Sequence, residues 1–337
     1  MSVATTYGDI SQRTAVYAEG TMLEYIEAII VLDNFAKVKP LPANTSETIA
    51  FRRPIPFPIS LTQLQEGVTP APKRMRYEDV QVTMGQYGDL LEVSDRVEDL
   101  AEDPVLTDAV EAMSRQIGET KERLTWATIN AGTNVFYGST TASPTSRTQV
   151  NDKISLNIQR QVTKSLKNQR AMKITRKLAA GPGFSTEPVA PAFVAVCHSD
   201  CETDIRNLPG FTPAENYATG ALLHEWELGK KEDVRYIVSP VLVPWYGAGS
   251  TTLNGMTASN GTNVDVYPIV YLSENCFASI PLRGPGSLSP WVENPGKRSK
   301  SDPLGQRGYV GWKMYFASLI LNEAWIIRAE VGVTDLS

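Results

Sequence analysis

Residues 103–132 read DPVLTDAVEAMSRQIGETKERLTWATINAG. Asp103 can cap a helix, Pro104 suits the first helical position because the N–H it lacks would have no partner there, and Gly132 supplies a C-terminal stop. The segment between them, about 28 residues, predicts a helix ~42 Å long at 1.5 Å per residue. Leu106, Val110, Met113, Ile117, Thr120, Leu124, Ala127 and Ala131 follow alternating steps of four and three. Such a narrow stripe predicts a long spine packed on one side only. Glu111 with Arg115 and Glu119 with Arg123 are i,i+4 pairs in the favourable order on the opposite, solvated face.

Upstream, residues 46–53 (SETIAFRR) alternate, with Glu47, Ile49 and Phe51 on one face, and read as a strand. Residues 76–84 (RYEDVQVTM) alternate likewise, and Leu90 to Val93 extend the ladder beyond a break at Gly85 and Gly88. Between the strands lie residues 54–75, PIPFPISLTQLQEGVTPAPKRM, with prolines at 54, 56, 58, 70 and 72. A connection this long either folds back on its own domain or projects as an arm; Ile55, Phe57, Ile59, Leu61 and Leu64 offer apolar surface that would gain by burial. Before them, Met22, Ile26, Ile29 and Ile30 predict a helix within residues 19–35, stopped by Pro40 and Pro42.

Downstream, residues 133–150 read as a Ser/Thr-rich connector. Residues 151–178 hold eight basic side chains against one acid, on a helix anchored by Ile154, Ile158, Val162 and Leu166. Arg160, Lys164, Lys167 and Arg170 there form either a solvated basic face or a surface for nucleic acid or an acidic partner. Strands are expected at 192–196, 234–243 and 264–272, helices at 199–208 and 214–228, and a flexible loop at 247–263. Residues 310–321 and 324–331 read as a C-terminal hairpin about Asn322 and Glu323.

The chain of 337 residues, 42% hydrophobic and 20% charged, can bury a sizeable core. Its net charge of −5 excludes a generally basic nucleic-acid binder. No apolar run reaches the ~20 residues of a membrane span, and Met1 to Asp9 lack the features of a signal peptide, so the product is expected to stay in the compartment where it is made. Three cysteines argue for a reducing compartment rather than a disulfide framework. Cys197, His198 and Cys201, with a distant His224 or Cys276, could hold zinc in principle, but Cys197 continues an apolar strand and reads better as a buried small hydrophobe. No nucleophile elbow, phosphate loop or paired-histidine motif is present, so neither enzyme chemistry nor a cofactor is expected. Glu98, Asp99, Glu102 and Asp103 read first as a solvated cap ahead of the helix.

The order of parts, together with EGVTPAP (66–72), QYGD (86–89), AEDPVLTDA (101–109), AGTNV (131–135) and SDPLGQRGYVGWKM (301–314), resembles the N-four-type family of tailed-bacteriophage major capsid proteins. The resemblance implies an α+β, Hong Kong-type capsid fold. Its parts would be an N-terminal arm (1–44), an extended two-stranded loop (45–93), a peripheral domain with the spine helix (94–150), a mixed axial domain (151–308) and a C-terminal hairpin returning to the core (309–337). It implies a virion shell of hexamers and pentamers around non-specifically bound double-stranded DNA, assembled in the host bacterial cytoplasm. Portal, scaffold and decoration proteins would be partners, and no membrane would be involved. A cellular nanocompartment shell of the same fold, enclosing protein cargo, is the alternative; a hydrolase is disfavoured. Arg52, Arg53, Phe57, Leu61, Lys73, Arg74 and Arg76 on the arm, and Glu98, Asp99, Glu102 and Asp103 before the spine, are the candidate inter-subunit contacts.

Overall fold

The computed structural model describes residues 30–42, 46–61, 63, 66, 67, 69, 71–96, 105–141, 143–174, 178, 179, 187, 188, 190–217, 222–239, 241–282, 289–293, 295 and 302–336. In chain order the strands are β1 Lys37–Val38, β2 Thr48–Pro54, β3 Tyr77–Thr83, β4 Gly85–Ser94, β5 Val135–Tyr137, β6 Leu178–Ala179, β7 Glu187–Pro188 and β8 Phe193–Cys197. They continue with β9 Thr212–Pro213, β10 Glu227–Lys231, β11 Val234–Val238, β12 Tyr267–Leu272, β13 Phe277–Pro281, β14 Ser289–Glu293, β15 Arg307–Ile320 and β16 Ile326–Val331. The α-helices are α1 Val105–Asn130, α2 Leu156–Asn168 and α3 Glu202–Arg206.

Helix α1 is the expected spine, with a refinement in its buried face. Val110, Met113 and Ile117 are buried as the stripe requires, but further along the buried residues are Glu122, Thr125, Trp126 and Ile129, while Ala127 and Ala131 are exposed. At 100° per residue the second set lies more than about 100° around the helix from the first, so the two halves bury different faces against different partners. One helix thus serves two cores. Its first half packs on Val310, Trp312, Met314 and Phe316 of β15. Its second half packs with Val31, Leu32 and Phe35 against the far sheet. Arg328 closes the helix, donating through Nη1 to the Asn130 carbonyl at 2.6 Å, where the helix dipole favours a cation.

In the first sheet β15 is central. Arg307 to Phe316 pair with β4 on one edge; the other edge is shared by β14 and β13, with β1 beyond β13. Gly85 and Gly88 do not break this ladder, because both lie inside β4. Gly88 is required by close approach: a Cβ there would come within 2.6 Å of the Trp312 carbonyl oxygen.

The second sheet runs β5-β16-β12-β8-β11-β10-β9. Every residue of β8, β11, β12 and β16 is buried, since both faces are covered. Phe193, Ala195 and Cys197 face the core shared with α2, whereas Val194 and Val196 face the core shared with the end of α1. Ile154, Ile158, Val162 and Leu166 dock α2 on the first of these cores, as their spacing predicts.

Further expectations are corrected. The C-terminal strands are not a hairpin: β15 and β16 lie in different sheets. Asn322 and Glu323 lack the positive φ that a tight hairpin turn needs. Instead Asn322 caps the 3₁₀ turn Glu323–Trp325, and Leu321 and Asn322 both donate to the Cys276 carbonyl, which turns the chain from one sheet to the other. Residues 214–228 are not one helix. Ala214–Asn216 is a single 3₁₀ turn, and pairing with β11 draws Glu227 onward into β10, so tertiary pairing overrides local propensity. The 133–150 connector contains β5, which pairs with β16. The 247–263 loop is anchored on buried Asp265, which accepts from the backbone of Gly247 and Ser259. The helix expected within residues 19–35 lies mostly outside the described residues; Leu32–Phe35 forms a 3₁₀ turn.

Candidate assembly surfaces

Strands β2 and β3 form the arm, in register from Thr48↔Thr83 to Pro54↔Tyr77. Its base is fastened to the first sheet, where Ile49 packs with Ala278, Ile280 and Ala317. Farther out, Arg52 lies opposite Asp79 and donates to both carboxylate oxygens, at 2.8 and 3.0 Å. Arg53 donates to Glu78, its own cross-strand partner. The Arg52 hydrogen bond holds the Asp79 carboxyl below its ordinary range. Both groups face water, so the pair fixes register and adds little stability.

Beyond the ladder the arm is apolar and uncovered. Ile55, Phe57, Ile59 and Leu61 are exposed, Phe57 to 53% and Leu61 to 91%. The prolines at 54, 56 and 58 alternate with them. Each proline fixes φ near −65° and removes an N–H; past Ile55, whose N–H donates to the Arg76 carbonyl at 2.9 Å, residues 56–61 belong to no strand. Lys73, Arg74 and Arg76 are exposed on the returning limb. The acidic candidates Glu98, Asp99, Glu102 and Asp103 lie outside the described residues.

The basic helix is largely committed to its own chain. Arg160 Nε donates to Glu232 at 3.0 Å, Lys167 pairs with Asp233, and Lys173 reaches the same carboxylate at 2.7 Å. Arg160 holds Glu232, and Lys167 with Lys173 holds Asp233, below the ordinary carboxylate range. Arg170 takes φ = 56° in the turn that ends α2, with Ala171 N–H donating back to the Leu166 carbonyl. Lys164 and Arg170 are exposed.

Sequence reasoning missed the outer face of the first sheet. Trp291, Gly311 and Leu90 lie side by side across β14, β15 and β4, and Trp291 and Leu90 are both exposed. Trp291 stacks on Tyr309 with ring centroids 6.3 Å apart. The signal was the side-chain-free pair Gly88 and Gly311, which leaves a shallow hollow between flanking side chains. Cys197, by contrast, sits as expected inside the sheet, where burial raises its thiol pKa. Among the described residues no three of His, Cys, Asp and Glu converge as metal ligands, and no helix is long and apolar enough to cross a membrane.

The fold recurs in solved capsids. The chain superposes on the capsid of Ralstonia phage GP4 with a TM-score of 0.66 at 10% identity, covering 100% of both chains. For the head of Helicobacter pylori bacteriophage KHP40 the TM-score is 0.60 at 10% identity, over 99% of this chain and 95% of that one. For the capsid of cyanophage Pam1 it is 0.58 at 12% identity, over 99% and 98%. At these identities the likeness establishes the fold. In sequence, the chain is 22% identical over 174 residues to the major capsid protein of Pseudomonas phage KPP21, a match spanning 48% of this chain and 44% of that protein. The family model described as phage capsid protein matches residues 77–328, from β3 through β16, which is most of the chain. With its α+β fold shared across whole capsid subunits and its sequence matched over both sheets and the spine, the chain belongs to the phage capsid protein family.

Proposed function

We propose that this protein is the major shell subunit of a tailed-phage virion, assembling into hexamers and pentamers that close around double-stranded DNA. The observation that carries the reading is the arm: a proline-stiffened, apolar strip that its own chain leaves in water, on a subunit of the capsid family. A monomer gains nothing from such a strip, whereas a repeated neighbour buries it, at roughly 1.5–3 kcal/mol for each fully covered side chain. In this reading residues 45–93 are the extended loop, 94–150 the start of the peripheral domain, and 151–308 the axial domain. Phe57 and Leu61 lie on a neighbouring subunit. Lys73, Arg74 and Arg76, with Arg52 and Arg53 behind them, approach the neighbour's acidic residues Glu98, Asp99, Glu102 and Asp103. Lys164 and Arg170 are the basic-helix residues best placed to meet DNA or an acidic partner, because Arg160 and Lys167 already hold carboxylates. Assembly takes place in the host cytoplasm, with portal and scaffold proteins and any decoration protein as partners.

Electron microscopy of the expressed protein tests the reading. Closed shells or capsomers are expected, and particles from infected cells should carry nuclease-resistant DNA. A stable 37 kDa monomer under all assembly conditions would contradict it. Particle yield should also fall as salt rises, since rim charge pairs are screened. Reversing Arg74 and Arg76 to Glu should impair assembly, and Lys at Glu98 and Glu102 should partly restore it.

A further inference from the structure

The joint between residues 30–36 and the spine helix turns on a carboxylate that no ion pair reaches among the described residues. Glu122 of α1 is fully buried. Its Oε1 accepts from the Leu32 N–H at 2.9 Å and the Ser239 hydroxyl at 3.2 Å. Its Oε2 accepts from the Leu32 N–H at 3.1 Å and the Val31 N–H at 3.3 Å. All but one of these bonds come from the N-terminal segment, some 90 residues away in sequence. The next residue of that segment, Asp33, is bound through Oδ2 by Lys121 at 2.6 Å, while its Oδ1 is buried without a hydrogen-bond partner.

Two carboxyl groups therefore share the joint with a single ammonium. A buried anion is costly unless it is paired or protonated, and a second carboxylate nearby adds to the cost. Among the described residues the surroundings supply no further charge. Ser239, from the loop after β11, is neutral; Asp33 is the charged group of the docked segment; Lys121 is committed to Asp33; and Arg123 is exposed. Asp33 lies close enough for its charge to disfavour the ionised form of Glu122.

We propose that Glu122 and Asp33 form a proton-operated clasp: a proton taken from solvent onto Glu122 tightens the docking of residues 30–36 on the spine helix, and its loss loosens that docking. Burial, reinforced by Asp33, pushes the Glu122 carboxyl up to about 7, against the opposing effect of its hydrogen bonds. Because the docked state raises this pKa, it binds the extra proton between the ordinary carboxylate range and about pH 7. Docking is then strongest in acid and weakens as pH rises through neutrality. The clasp is a property of the subunit and does not depend on the shell reading.

Amide hydrogen exchange of the full-length chain tests it, read on the peptide covering residues 30–36 and corrected for the intrinsic pH dependence of exchange. Between pH 5 and pH 8 the protection of Val31 and Leu32 should fall about tenfold or more, while amides of β8 and β12 stay level. Glu122→Gln, which holds a neutral side chain at every pH, should remove the slope. Asp33→Asn should move its midpoint to lower pH by removing the second carboxylate. Constant protection in the wild-type chain, or an unaltered slope in Glu122→Gln, would overturn the proposal. If Glu122→Gln fails to fold, an unshifted midpoint in Asp33→Asn overturns it equally.

Discussion

In the seven-stranded sheet Val194, Val196, Ile269 and Val270 have no exposure at all, whereas in the arm Phe57 and Leu61 are 53% and 91% exposed. Both regions are extended and rich in apolar side chains, and each carries arginine–carboxylate pairs. In the sheet, Glu330 is fully buried and held by Arg328 and by Arg147, whose guanidinium also lies 3.6 Å from the Trp245 ring centroid. In the arm, the Arg52–Asp79 pair faces solvent. The difference is one of cover. The sheet is clad on both faces by helices and loops of its own chain, and a lone two-stranded ribbon is marginal in water without such cover. What the arm lacks within the chain, a repeated neighbour can supply.

The contrast can be broken first in the sheet. Ile269→Ala removes a fully buried side chain and should lower stability by about 3–4 kcal/mol, read by denaturant unfolding of the subunit. Arg328→Met should cost less, about 2 kcal/mol, because Arg147 still neutralises Glu330 while the cap on the last turn of α1 is lost. Thermal unfolding should show both losses. Arg52→Gln, in the corresponding pair of the arm, should leave the subunit's melting temperature unchanged, since that pair sits in water. Comparable losses from Arg52 and Arg328 would erase the distinction between the two regions.

Much of this was legible in the sequence because local patterns report local structure. The spine announced itself by its periodicity, the arm by alternation followed by prolines, and α2 by four apolar residues at one spacing. Pairing partners were not legible. The residues of β15 and β16 read as adjacent strands of a hairpin, and nothing in their alternation says that one joins β4, β13 and β14 while the other joins β5 and β12. Glu122 was hidden for a related reason. On a helical wheel it lies about 140° from Ile117, on the face opposite the stripe, and it is the segment Val31–Leu32, some 90 residues away in sequence, that covers that face. The hollow at Trp291, Gly311 and Leu90 needed three strands brought together from distant parts of the chain.

The most direct test removes the apolar tip and leaves everything else. In Phe57→Ser with Leu61→Ser, both sites are already exposed in the subunit, so its unfolding midpoint should match wild type. Electron microscopy of the same preparation under assembly conditions should show no closed particles, because the apolar area proposed to join neighbours is gone. Particles in wild-type yield would contradict the arm's role between subunits. A subunit that no longer folds would return residues 54–75 to a place within their own domain.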